Sequence, residues 1–360
     1  STWRQEVIPA PLDWEVTYSF YLPESLRVIS AMYLRIPLPT LGSGNYKDLP
    51  GLYAVKQLRF LSAGQESYHV EPGLFLRDYI ESLTAEEATI FTKTYLGFTA
   101  AGGSGGARVL HVTILLPNSA YMGRAGGPRG HGVFPCFLGQ NRLEIQITMN
   151  AANYVSSNTG EQPATIAGRC SLMYHQVEMT PSNTLKYSDL RGNYSIINRR
   201  FTELTNDYQH YSGAQASAKE IVRWTTSQPQ GVVYEIQVIA VATGASRDRY
   251  SAHNYIKPTV MRVLADTVIQ KELDEPHKVD LESWCNGFTS PADFPAPGRI
   301  CFACHCGDSA HTYTGGYSMT LASNIVIELS FPSEVQWKII AVQYQRVSIS
   351  SLGNLSTSLE

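Results

Sequence analysis

The sequence predicts an all-β chain of two tandem antiparallel sandwiches, jelly rolls in form, with short helical insertions. Three observations lead there. Strand-period alternation of apolar residues recurs along the 360 residues. Charged side chains make up only 16% of the chain, against ~25% in an average soluble domain. And one unusual pair of strands occurs twice, once in each half. A chain of this length exceeds a typical single domain, so two domains are expected. Polar and turn-forming residues crowd the stretch from Met179 to Lys219, which predicts a first jelly roll over 1–195 and a second over 196–360.

The strands announce themselves by their period. Leu110, Val112, Ile114 and Leu116 alternate with His111, Thr113 and Leu115, and Tyr234, Ile236, Val238 and Ala240 alternate with Glu235 and Gln237. The run from Val28 to Leu38 is apolar on both faces, as befits a strand between two covered layers. Turn formers at Pro39 to Asn45 and Pro291 to Gly298 punctuate these runs. Leu76, Tyr79, Ile80 and Leu83 instead fall at helical spacing, and Thr84 with Glu87 reads as a capping box opening a second short helix. A helical insertion is therefore expected at about residues 73–93. The stretch from Asn206 to Glu220 reads equally as loop or as a further helical turn.

The repeat is the most informative feature. Leu143, Ile145, Ile147 and Met149 alternate with polar residues in the first half, as Ile325, Ile327, Leu329 and Phe331 do in the second. Each strand is followed by a related signature: Leu172-Met-Tyr-His-Gln-Val-Glu-Met179 and Val342-Gln-Tyr-Gln-Arg-Val-Ser-Ile349. In both, apolar residues sit at even positions up to the tyrosine and at odd positions after it. A change of parity exchanges the faces of a strand unless a bulge absorbs one residue. A β-bulge or twist is expected just after Tyr174 and just after Tyr344, and the halves should superimpose Tyr174 upon Tyr344. Immunoglobulin-like pairs are the competing architecture, but they are usually shorter and lack helical insertions.

Composition excludes several functional classes. The formal net charge is −3, and neither terminus carries a basic run, so direct grip on nucleic acid is not expected. No stretch approaches the ~18–20 apolar residues of a membrane span, and the start, Ser1-Thr-Trp-Arg-Gln-Glu6, shows no apolar signal region. Six unevenly clustered cysteines do not form the framework of a small secreted domain, which points to a reducing compartment. The sequons at Asn193 and Asn354 are of a kind common by chance.

Possible chemistry is sparse. Cys301, Cys304, His305 and Cys306, with His311 nearby and Cys285 and His277 elsewhere, form the best metal candidate. Zinc requires four ligands in a tetrahedron. In a strand Cys301 would face away from Cys304 and Cys306, so these thiols read as buried small hydrophobes. His111 and His175 lie inside strand patterns and read as hydrogen-bonded core or groove residues. Glu86-Glu87 and Asp274-Glu275 read as caps or solvated faces rather than a glycosidase pair. The glycine-rich loops Ala100–Arg108 and Met122–Gly132 lack the Lys-Ser/Thr pair of a phosphate cradle and read as surface loops. No catalytic, cofactor-binding or metal-binding residues are assigned, and no enzyme activity or cofactor is expected.

Three C-terminal segments carry a likeness to a known group. They are Tyr313-Thr-Gly-Gly-Tyr-Ser-Met-Thr-Leu321, Asn324-Ile-Val-Ile-Glu-Leu-Ser-Phe-Pro332 and Trp337-Lys-Ile-Ile-Ala-Val-Gln-Tyr-Gln-Arg-Val-Ser-Ile349. A polar turn, a strand ending in Phe-Pro and a long final strand resemble the double jelly-roll major capsid proteins of the adenovirus, tectivirus and polinton lineage. That resemblance implies a structural role without catalytic residues. The expected partners are itself, as a homotrimer with a pseudo-hexameric outline, then neighbouring capsomers in an icosahedral shell and other capsid, vertex or cement proteins. The expected location is the virion capsid, made inside the host cell, with the loop at 122–132 at the trimer or outer surface. The alternatives are a tandem jelly-roll carbohydrate-active enzyme or glycan-binding module, and a minor capsid protein of the same lineage.

Overall fold

The computed structural model describes residues 2–8, 12–22, 28–47, 49–62, 64–97, 105–116, 134, 143–163, 166, 170–178, 194–205, 208–212, 221–226, 231–243, 255–285, 297–302, 316–350 and 354–359. Contacts divide the chain into two compact units. One holds residues 1–80, 89–198 and 345–358, and the other holds 81–88, 199–344 and 359–360.

The first unit contains β1 (Thr2–Val7), β2 (Thr17–Tyr21), β3 (Ile29–Leu38), β4 (Gly44–Tyr46), α1 (Pro50–Tyr53), β5 (Val55–Ser62) and β6 (Gln65–Val70). After these come α2 (Pro72–Ser82), α3 (Ala85–Tyr95), β7 (Arg108–Thr113), β8 (Leu143–Met149), β9 (Ser156–Gly160) and β10 (Ser171–Gln176), with residues 81–88, from the end of α2 to the start of α3, counting with the second unit. One four-stranded antiparallel sheet runs β1-β10-β3-β7 and another β2-β8-β5-β6, with β4 and β9 pairing apart. Setting β4 and β9 aside and counting the eight main strands in chain order, the sheets read 1-8-3-6 and 2-7-4-5. The inward residues of each strand are apolar at period two: Met32, Leu34, Ile36 and Leu38 on β3, Ile145, Ile147 and Met149 on β8.

The second unit repeats that path. Its strands are β11 (Tyr194–Glu203), β12 (Gln209–Tyr211), β13 (Val222–Thr226), β14 (Val232–Ala242), β15 (Val260–Ala265) and β16 (Val268–Leu273). Helix α4 (Pro276–Cys285) follows, then β17 (Gly298–Cys301), β18 (Tyr317–Ser318), β19 (Ile325–Ser330), β20 (Val335–Ile349) and β21 (Leu355–Leu359); of these strands, residues 194–198 of β11, 345–349 of β20 and 355–358 of β21 count with the first unit. The sheets run β11-β20-β14-β17 and β13-β19-β15-β16, again 1-8-3-6 and 2-7-4-5, with β12, β18 and β21 as additions to the first. This is the wrapping of a jelly roll, with successive strands passing between two packed sheets, and it excludes an immunoglobulin order. Ile236, Val238 and Ala240 of β14, Ile325, Ile327 and Leu329 of β19, and Trp337, Ile339 and Ala341 of β20 meet in one buried core. In both units helices fill the connection between the fifth and sixth strands, α2 and α3 in the first and α4 in the second, while the single turn α1 precedes β5. The two repeated signatures lie in corresponding strands: 143–149 and 325–331 mark the seventh, and Tyr174 and Tyr344 stand in the eighth.

The expected helices are present at 72–82 and 85–95. The capping box forms as read: Thr84 Oγ1 lies 3.4 Å from the Glu87 amide it accepts from, and Glu87 Oε2 takes the Thr84 amide at 3.3 Å. In the ambiguous stretch, Gln209–Tyr211 is a short strand on β20, while 213–220 lie outside the described residues.

The irregularities sit close to the tyrosines, but on the partner strands. His175 opposes Ala31 while Gln176 opposes Ile29, so the extra residue is Ser30 of β3. Gln343 opposes Val233 while Val342 opposes Glu235, so the extra residue is Tyr234 of β14, and the break precedes Tyr344. Parity read along one strand cannot show which partner absorbs the additional residue. The second bulge also corrects the reading of β14. Val233 and Ile236 both face the core, and Tyr234 faces the other way with Val342. The change of pattern after Tyr344 has a different origin. Up to Tyr344 the strand belongs to the second unit, where both its faces are buried; from Gln345 it belongs to the first, where Gln345, Val347 and Ile349 are buried and Arg346 is exposed.

β15 and β16 are joined by Asp266 and Thr267, both at positive φ (48° and 74°), as a two-residue hairpin turn of matching twist requires. Asp266 accepts the amides of Asn324 (2.9 Å) and Ser323 (3.1 Å), fixing the polar turn that opens β19. Thr267 has no such compensation in its own side chain type, because a β-branched residue is strained at positive φ. Replacing Thr267 by Gly is expected to raise stability by about 1 kcal/mol, and Thr84→Ala to lower it by about 1 kcal/mol. Urea unfolding of the full chain checks both.

Candidate functional site

The chemistry of the second unit concentrates on the face of β14 that points away from its core. Register places Glu235 opposite Cys301 and Gln237 opposite Arg299, so these side chains share that face. All of them are buried nonetheless. Arg299 reaches Glu235 with one terminal nitrogen and Glu81 with the other. Gln237 Nε2 donates to Glu235 at 2.8 Å, and Arg199 Nη2 stands 3.8 Å from the same carboxylate. Arg199 also donates through Nε to the Tyr234 hydroxyl and lies over the Tyr234 and Phe201 rings at 5.6 and 5.4 Å.

Two arginines and two glutamates therefore pair inside a buried layer. A buried ion is tolerated only when paired and hydrogen-bonded, and here the bulge at Tyr234 helps. By absorbing one residue it sets Tyr234 and Glu235 on the same side. The tyrosine hydroxyl accepts from Arg199, and the Cys301 thiol lies on the same face. The ion pairs hold elements far apart in the chain in place.

The outer face of the other sheet carries a second ionic arrangement. Arg223, Glu328, Arg262 and Glu272 are directly opposite one another across β13, β19, β15 and β16. Glu328 is covered by its neighbours, 2.7 Å from Arg223 Nε and 3.5 Å from Arg262 Nη1, and Arg262 also binds Glu272. Those carboxylates hold the Arg262 guanidinium above its ordinary pKa, the Glu272 hydrogen bond most strongly. Beside this row, Lys271 pairs with Glu282 at 2.5 Å, Lys278 with Asp274, Lys257 with Asp280, and His277 with Glu275 at 3.1 Å. In the first unit the matching outer face carries Thr17 and Thr148 sharing a hydrogen bond at 3.0 Å, and Arg59 paired with Glu66 at 3.4 Å.

The residues weighed from sequence fall as follows. His175 Nδ1 lies 2.5 Å from Ser30 Oγ, the bulge residue, and its ring stacks 4.9 Å from exposed Trp3. His111 is half-buried; desolvation pushes its pKa below the ordinary value, aided by Arg35 and opposed by a hydrogen bond with the Thr94 backbone. Glu87 caps α3, Asp274 pairs with Lys278, and Glu275 Oε2 lies 3.1 Å from His277 Nδ1. Cys170 and Cys301 are buried, the Cys170 thiol pushed up to about 11 by desolvation, and Cys285 is exposed. Cys304, His305, Cys306 and His311, like the loops at 98–104 and 117–133, lie outside the described residues. Among the described residues no group of three potential ligands could hold a metal ion, and no helix is long and apolar enough to cross a membrane.

Sequence reading missed the buried cluster. Glu235 and Gln237 looked like the solvent side of an alternating strand, and Glu81 lies 218 positions from Arg299. The available signal was the strand itself: Glu235 and Gln237 stand within β14 between Val232–Tyr234 and Val238–Ala242, apolar runs too continuous for a half-exposed strand.

No protein-family model and no curated protein matches this sequence. Solved structures do. The chain is similar to the capsid protein in a quasi-atomic model of the PBCV-1 virus capsid, with TM-score 0.70 and 10% identity over 99% of this chain and 96% of that one. It is also similar to the mavirus major capsid protein (TM-score 0.64, 9% identity, 99% and 90% covered). The Faustovirus major capsid protein follows at TM-score 0.61 and 10% identity, with 96% and 90% covered.

Two outcomes test this description. Arg299→Met leaves two buried carboxylates against one arginine and is expected to cost about 3–5 kcal/mol in urea unfolding. His111 is held neutral in the fold, so between its lowered pKa and the ordinary ~6.5 the unfolded chain binds more protons. Its contribution is complete above pH ~6.5 and is lost as pH falls below that value. Unfolding curves at pH 7.5 and 5.5 should show a smaller pH-dependent loss for His111→Gln than for the natural chain. With its tandem 1-8-3-6 and 2-7-4-5 sheets and its match along nearly the whole of these structures, the chain has the double jelly-roll fold of viral major capsid proteins.

Proposed function

We propose that this chain is the major building block of a viral shell. Three copies join as a capsomer, and capsomers tile an icosahedral particle. The observation that carries this reading is the strand path repeated in both units, because three copies of two similar halves supply six similar wedges around one axis. The likeness to capsid structures along 96–99% of this chain supports it. On this reading the halves 1–195 and 196–360 are the wedges, and the chain acts in the virion capsid after synthesis inside the host cell. Its partners are itself, neighbouring capsomers and other shell proteins.

Scarce charge fits the same role. With 16% charged residues and a net charge of −3, the chain has no means of condensing on phosphate, so the genome is packed by other components. The buried charges are consumed in internal pairs, which suits a scaffold more than a catalyst. The role requires no catalysis.

Sedimentation velocity at micromolar concentration is expected to show a trimer, and negative-stain images a hexagonal outline. A chain that stays monomeric over that range would overturn the proposal. Within particles, this protein should dominate the shell by mass; a low copy number would instead indicate a minor or vertex protein.

A further inference from the structure

We propose that the outer face of the β13-β19-β15-β16 sheet pairs with the same face of a second copy of this chain, about a two-fold axis parallel to the strands. A capsomer of three copies needs a three-fold axis, so this is a contact of another symmetry. It rests on the assembly reading above for its place in the shell, where it joins chains of neighbouring capsomers.

Register defines the face. Two rows cross all four strands on the side away from the core. One is Arg223, Glu328, Arg262 and Glu272; the next, two residues along, is Thr225, Val326, Leu264 and Ile269. The shift between β15 and β16 makes Gln270 an extra residue, which sets Ile269 opposite Leu264 and so into the second row. Ile269 is 50% exposed, Thr225 is exposed, and Leu264 and Val326 are half-buried. Three aliphatic side chains thus lie in line where an antiparallel sheet with one wet side carries polar residues. An apolar row beside a charged one marks a surface that meets protein.

Charge order selects the partner. Across the strands the first row reads plus, minus, plus, minus, each member paired with the next. A two-fold axis parallel to the strands, between β19 and β15, reverses that order in the facing copy and keeps each row against its counterpart. Arg223 then meets the partner's Glu272, and Glu328 the partner's Arg262, so every facing pair is of opposite sign. In the second row Val326 meets the partner's Leu264, and Thr225 the partner's Ile269. An axis along the row would instead set Arg223 upon Arg223, and like charge rejects it. The ends of the row are the groups placed to reach across. The Arg223 side chain is 74% and the Glu272 side chain 34% exposed, whereas Glu328, at 5%, is held by both arginines. Guanidinium and carboxylate groups each hold several hydrogen bonds, so pairing within the row leaves capacity for pairing across it.

The test is sedimentation velocity of the full-length natural chain, of R223E and of E272R, each alone and the two variants mixed in equal amounts. The natural chain should show capsomers and pairs of capsomers. Either reversal alone sets like charges across the contact and should weaken pairing by about tenfold or more while the capsomer persists. In the mixture each altered end faces an end of opposite sign, and pairing should return. Reversal also sets like charges side by side within one chain, but mixing does not repair that, so the rescue reports contact between copies. Variants that pair like the natural chain, or a mixture no stronger than its components, would overturn the proposal and leave the capsomer intact. Natural trimers that never pair would do the same. A natural chain that forms two-fold dimers without trimers would overturn the capsomer and keep the pairing. If a reversal does not fold, R223Q and E272Q take its place, and unchanged pairing in them counts against the contact. Pairing of the natural chain that is indifferent to added salt does so too, because exposed charges are screened.

Discussion

A strand buried on both faces has no place for an unpaired charge, and β14 carries Glu235 at its centre. Much of the second unit answers that constraint. Arg299 sits on the neighbouring strand, Arg199 on β11 and Glu81 at the end of α2, and together they bring the buried charge to zero. The bulge at Tyr234 turns that residue away from the apolar core and into reach of Arg199. An all-apolar layer of the same volume would be at least as stable.

The two units share a path but not a surface. Both wrap as 1-8-3-6 and 2-7-4-5, and both place helices between the fifth and sixth strands. Yet one outer face carries the Thr17–Thr148 hydrogen bond and the Arg59–Glu66 pair, and the other bears the in-register row of Arg223, Glu328, Arg262 and Glu272. Backbone hydrogen bonding and inward apolar residues set the common path. The outward residues are free of that requirement and can diverge.

β20 is the element in which these themes meet. It is the eighth strand of the second unit, pairing with β14 and β11, and its last residues count with the first unit. Its odd residues, Val335 to Ala341, fill the second unit's core, while Ile340 and Val342 are buried on the opposite face. A fifteen-residue strand can serve two units because pleating offers a fresh pair of faces every two residues.

Local rules made a large share of this legible in the sequence. Alternation at period two marked β7, β8 and β19, helical spacing and the Thr84–Glu87 box marked α2 and α3, and the twin tyrosine signatures marked the eighth strand of each unit. Each depends on residues within a few positions of one another, and their likeness between halves survives because core packing constrains it. What only the tertiary structure decided was pairing. Whether Ser30 or His175 would carry a bulge, whether Glu235 would meet water or Arg299, and that Val268 and Ile269 would stay exposed all depend on segments far apart in the chain. A single sequence records the preference of a residue for burial or charge; it does not record which distant partner will satisfy it.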